Sequence, residues 1–94
     1  MADLLSEAEI VERLPDGWTL DGEEIVRTYE FDDYLDGAEF VADVAGIADD
    51  EFHHPEVTLR FREVEVRLTS HEAGGVTVQD VGMAGEFDDS FAEY

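Results

Sequence analysis

Val57-Thr58-Leu59-Arg60-Phe61-Arg62-Glu63-Val64-Glu65-Val66-Arg67-Leu68 is the stretch from which the fold can be read. Val57, Leu59 and Phe61 alternate with Thr58 and Arg60, and Val64, Val66 and Leu68 alternate with Glu65 and Arg67. A period of two over two short runs predicts two paired strands, a hairpin. Pro55 marks the turn ahead of it.

A similar unit lies upstream. Trp18–Leu20 is a short strand candidate, and Asp21-Gly22 offers the positive-φ pair of a tight turn before Glu24–Phe31 returns. In that return Ile25, Arg27, Tyr29 and Phe31 share one face, opposite Val26, Thr28 and Glu30. Helical spacing fills the remaining segments. Leu4, Leu5, Ile10, Val11 and Leu14 recur near the helical period, and Ser6 with Glu9 three residues later has the pattern of a capping box, so a first helix starts at Ser6 and stops before Pro15. Asp32 or Asp33 caps a long helix from about Tyr34 to Asp49, with Ala38, Val41, Val44 or Ala45, and Ala48 as its apolar stripe. The glycine-containing loop Ser70–Val76 leads to a last helix opened by Thr77, with Val81, Ala84 and Phe87 as core contacts. The tail Asp88–Tyr94 is expected to fray. The order α-β-β-α-β-β-α predicts an α+β fold, a four-stranded antiparallel sheet with three helices packed on one face.

The chain has 94 residues, enough for one domain over residues 1–94 but a small core, which favours a homodimer or homotetramer. Its 26 acidic residues face five basic ones, all arginine, for a net charge of −21. Such a balance suggests either disorder or a folded surface adapted to high salt. With 44% hydrophobic residues, including Trp18, three Tyr and six Phe, the folded reading wins. At molar salt the Debye length is about 3 Å, so the mutual repulsion of the carboxylates is screened. The charge argues against nucleic acid and anionic membranes as partners, since binding phosphate needs cations. Without cysteine there is neither a disulfide framework nor thiolate chemistry, and no stretch is long and apolar enough for a bilayer span. A cytoplasmic location is expected.

Chemistry centres on three histidines, His53 and His54 after the long helix and His71 after the last strand. Imidazole suits proton transfer near neutral pH, although spacing by itself is met equally well by surface turn residues. Three imidazoles can also hold zinc, but adjacent His53 and His54 tend to point apart in extended chain, which makes joint ligation awkward. Asp80, three residues after Thr77, is placed both to cap a helix and to orient a histidine.

Asp49-Asp50-Glu51-Phe52-His53-His54-Pro55 matches the signature of the pterin-4a-carbinolamine dehydratase family, an acidic residue, three residues, then His-His-Pro. Phe61, His71 within Thr69-Ser70-His71-Glu72, and Asp80 continue the pattern. Trp18, Ile25–Phe31 and Phe40 extend it over nearly the whole chain. The resemblance implies dehydration of a 4a-hydroxytetrahydropterin to the quinonoid dihydropterin, with no metal and no redox cofactor. By that resemblance His53 and His71 transfer protons and Asp80 supports His71, while His54, Pro55, Glu56 and Phe61 contribute to binding the pterin. The sequence departs from the family at Val57 and Thr58, where an aromatic residue is often found, and at Ala73. Some relatives double as a dimerisation cofactor for a transcription factor, and action on another pterin, as in molybdopterin metabolism, is a further reading.

Overall fold

The computed structural model describes residues 3–94. Its elements run α1 (Glu7–Arg13), β1 (Thr19–Asp21), β2 (Glu24–Glu30), α2 (Tyr34–Glu51), β3 (Glu56–Leu59), β4 (Glu63–Leu68) and α3 (Val78–Phe91). The expected order of elements is the observed one. All strand pairings are antiparallel in the order β1-β2-β4-β3, so the two hairpins join through β2 and β4.

Register follows from the alternation. Ile25 faces Leu68, Arg27 faces Val66 and Tyr29 faces Val64, which puts every apolar position of β4 and most of those of β2 on one side. On that side Ile25, Tyr29, Val64, Val66 and Leu68 are buried. The opposite side carries charge, where Arg67 bridges Asp21, Glu24 and Glu65 and Arg60 reaches Glu65. Slipping any strand by one residue would exchange these two faces, so burial fixes the register.

Helix α1 begins as expected, with Ser6 and Glu9 forming a reciprocal capping box. Helix α2 covers the sheet with Gly37, Phe40, Val44 and Ala48, a stripe rotated from the expected Ala38, Val41, Val44 or Ala45 and Ala48. Gly37 is the reason. A β-carbon there would approach Leu59 Cδ1 at 3.3 Å, so the helix comes close to the sheet through a residue with no hydropathy of its own. Phe40 then fills the centre against Tyr29 and Phe31, at ring separations of 4.6 and 5.4 Å. Burying a side chain of this size contributes about 1.5–3 kcal/mol.

The tail Asp88–Tyr94 is not frayed. Helix α3 continues to Phe91, and Asp88 accepts hydrogen bonds from Trp18 Nε1, Arg27 and Tyr29 Oη. Phe91 packs on Tyr29, and the Tyr94 hydroxyl donates to Asp43 at 2.5 Å. Three donors, Trp18 just ahead of β1 and Arg27 and Tyr29 on β2, therefore anchor a segment whose own composition is polar. Phe61 lies outside β3, in the turn between β3 and β4, and is exposed.

Candidate active site

Both hairpin strands β3 and β4 have their open ends on the side where α2 stops and α3 starts. The chain leaving α2 and the chain leaving β4 meet there, and Gln79 Nε2 donates to the Glu51 carbonyl to tie the two together. Between them lies a cleft of about 380 Å3 lined by Phe52, His53, His54, Ser70, His71 and Thr77, among others. All three histidines thus reach one cleft.

Helix α2 ends by turning left-handed at Phe52 (φ 50°, ψ 38°), the one non-glycine residue with positive φ among those described. The His53 N–H then donates back to the Ala48 carbonyl, a closure common at helix C-termini but usually built on glycine. Placing a phenylalanine there costs on the order of 1 kcal/mol. The result is a phenylalanine 90% exposed on the cleft wall, with the chain reversed so that His53 is turned inward and His54 outward.

His53 is the more buried of the pair, with 15% of its side chain exposed, and its Nε2 lies 2.5 Å from Asp80 Oδ1. His54, 63% exposed, places Nε2 3.0 Å from Asp49 Oδ1. The spacing of the signature thereby acquires a physical cause, because the last turn of α2 carries Asp49 to within reach of the outward histidine. Adjacent imidazoles are held by different carboxylates, and among the described residues no group of three His, Asp or Glu is arranged to hold a metal ion.

Asp80 is fully buried. It is the third residue of α3, and its Oδ2 accepts from the Thr77 N–H and from Ser70 Oγ, both at 2.8 Å. Capping and histidine orientation are both performed by this one side chain, one oxygen for each. The expectation that Asp80 supports His71 is corrected: its partner is His53, because the start of α3 faces the end of α2. His71 sits exposed in the loop that Ser70 and Gly75 close by backbone pairing, with Gly74 supplying φ +85° for the turn.

Of the other expected site residues, Pro55 precedes β3 and Glu56 opens it, next to His54, and neither lines the cleft. Phe61 lies with Arg60 and Arg62 in the turn at the other end of the β3–β4 hairpin, within one chain remote from the histidines. Ser70 and Thr77 are site residues that the sequence analysis did not single out as such. Their signal was available only in part, as the Thr77-to-Asp80 capping spacing.

The family described as Pterin 4 alpha carbinolamine dehydratase matches residues 3–90. The chain belongs to the pterin-4a-carbinolamine dehydratase family. A relative from Haloarcula marismortui, provisionally named as such a dehydratase, is 58% identical over 84 residues, covering 89% of this chain and 91% of the relative. One from Halobacterium salinarum with the same provisional name is 55% identical over 89 residues, 95% and 98% of the two chains. These salt-loving organisms agree with the acidic surface. Among solved structures, a transcriptional coactivator/pterin dehydratase from Brucella melitensis superposes with a TM-score of 0.84 at 36% identity, over 92% of this chain and 96% of that one. A pterin dehydratase-like protein described as a RuBisCO assembly factor of the alpha-carboxysome shares the fold, with a TM-score of 0.65 at 15% identity over 79% and 86%.

Proposed function

We propose that this protein dehydrates a 4a-hydroxytetrahydropterin by general acid/base catalysis between histidines. The observation that carries the reading is the convergence of His53, held by buried Asp80, with His71 on one cleft. Dehydration breaks the C4a–O bond, delivers one proton to the departing hydroxyl and removes one from a ring nitrogen, so that a C=N bond forms and water leaves. One site must therefore give and take a proton, a task for two imidazoles in different surroundings. His53 is largely enclosed and tied to a carboxylate, whereas His71 is open to solvent. His54, on the rim with Asp49, binds and orients the pterin, and the exposed Phe52 ring offers a flat apolar wall to a flat bicyclic substrate.

The proton-transfer chemistry asks for no metal or redox cofactor. A cytoplasmic homo-oligomer and a tetrahydrobiopterin-type substrate belong to the same proposal. The test is stopped-flow dehydration of enzymatically generated 4a-hydroxytetrahydropterin by the purified protein in molar KCl, with and without exhaustive chelation. Acceleration over the buffer rate that survives chelation is expected. No acceleration would leave the second reading, a binding module without turnover, which the double description of the Brucella melitensis protein brings into view.

A further inference from the structure

We propose that Ser70 is a positioning residue for His53, and that the hydrogen-bonded chain from Ser70 through Asp80 fixes the His53 ring as its Nε2–H tautomer, leaving Nδ1 as the atom that exchanges a proton with substrate. The proposal rests on the acid/base reading above and adds to it which atom acts and what holds it.

The directions of the hydrogen bonds around Asp80 can be worked out in order. The Gln79 N–H donates to Thr77 Oγ1 at 3.3 Å, so Thr77 turns its hydroxyl proton elsewhere. Ser70 Oγ, at 3.0 Å, is nearer to it than Asp80 Oδ2, at 3.4 Å. Ser70 accepts that proton and directs its own to Asp80 Oδ2, where the Thr77 N–H also arrives, both at 2.8 Å. The Ser70 hydroxyl and the Thr77 N–H thus converge on Oδ2, and Oδ1 is the acceptor still to be filled.

His53 Nε2 fills it at 2.5 Å. A carboxylate offers only acceptors, so the ring must present Nε2–H, and a neutral ring with its proton there carries its lone pair on Nδ1. Rotating the ring by half a turn would bring a carbon to Asp80, so the geometry also fixes the ring face. Ser70 has a second link to the site through its backbone. Its N–H donates to the Gly75 carbonyl at 2.9 Å and its carbonyl accepts from Gly74 at 2.9 Å, closing the loop that carries His71. One residue thus orients the carboxylate behind His53 with its hydroxyl and supports His71 with its main chain.

Ser70→Ala keeps the backbone bonds and removes only the hydroxyl. It should lower kcat by roughly tenfold to a hundredfold with KM little changed, less than removal of an imidazole itself. Ser70→Thr, which restores the hydroxyl, should recover most of the loss. The direct readout is long-range 1H–15N NMR of the histidine ring nitrogens of the whole protein in molar KCl at about pH 8.5, some two units above the ordinary imidazole value. Wild type should show His53 as the Nε2–H form, and Ser70→Ala should show averaged ring nitrogens. An Nδ1–H ring in the wild type overturns the proposal whether or not the variant folds. A folded Ser70→Ala protein with an unaltered tautomer and wild-type kcat overturns the role of Ser70. An Nε2–H ring in a protein that does not turn over the carbinolamine would uphold the tautomer and remove the dehydratase reading, so the two can fail separately.

Discussion

Asp80 and His53, 27 positions apart, meet at 2.5 Å because the carboxylate that caps α3 has a second oxygen facing the end of α2. The pair joins stability to chemistry in a way that substitution can separate. Asp80→Ala strands the buried Ser70 and Thr77 donors as well as the cap, and should destabilise the fold by about 2–4 kcal/mol. Asp80→Asn retains an acceptor for the cap and should cost less than half of that, while still lowering kcat because an amide can present N–H to His53. Urea unfolding of both variants, set beside their turnover, measures the two effects independently.

Tyr29 supplies the alkaline limit. Burial, followed by the hydrogen bond and charge of Asp88, raises its phenol well above the ordinary value near 10. The unfolded chain ionises first, so the stability from keeping this proton is fully present below pH 10 and is lost as pH rises beyond it. Tyr29→Phe should cost about 1 kcal/mol at pH 7, since Asp88 keeps Trp18 and Arg27. The deficit relative to wild type should shrink above pH 10. Urea midpoints of the two proteins at neutral and alkaline pH check this, and an unchanging gap would contradict it.

The alternation of β2 and β4 was legible because burial on a sheet repeats every second residue, and Val64, Val66 and Leu68 obey it without exception. The stripe of α2 was less so, because Gly37 carries the closest approach to the sheet and has no side chain to announce it. The tail was misjudged for a different reason. Asp88 looks like a solvated residue until Trp18, Arg27 and Tyr29, 59 to 70 positions away, are brought to it. At the site, residue type and position singled out the histidines and Asp80 and the resemblance assigned their roles, but which histidine Asp80 serves depends on how α2 and α3 pack.

Salt should stabilise the protein strongly. Arg27, Arg60 and Arg67 are already engaged with carboxylates, and with all five arginines counted the chain still carries a net −21. Relief of only ~2 kcal/mol of repulsion in a domain of this size moves a melting midpoint by roughly 8–16 °C. Thermal melts in dilute buffer and in molar KCl should differ by at least that much, and an equal or higher midpoint in dilute buffer would count against salt adaptation.

A stable monomer is not expected. Phe52, Phe61 and Leu35 are exposed at 90, 69 and 77%, and β3 is an unpaired edge of the sheet. Light scattering at high salt should return a multiple of 10.5 kDa, and a mass of 10.5 kDa at micromolar concentration would contradict this.

The central claim is proton transfer by His53 and His71, and stopped-flow dehydration by the single alanine variants in high salt tests it most directly, once circular dichroism has shown them folded. His53→Ala and His71→Ala should each slow the reaction by about two to four orders of magnitude, the usual worth of a positioned acid or base, while His54→Ala should raise KM at least as much as it lowers kcat. If folded His53→Ala and His71→Ala proteins both kept the wild-type rate, the histidines would be turn residues and the mechanism would be wrong.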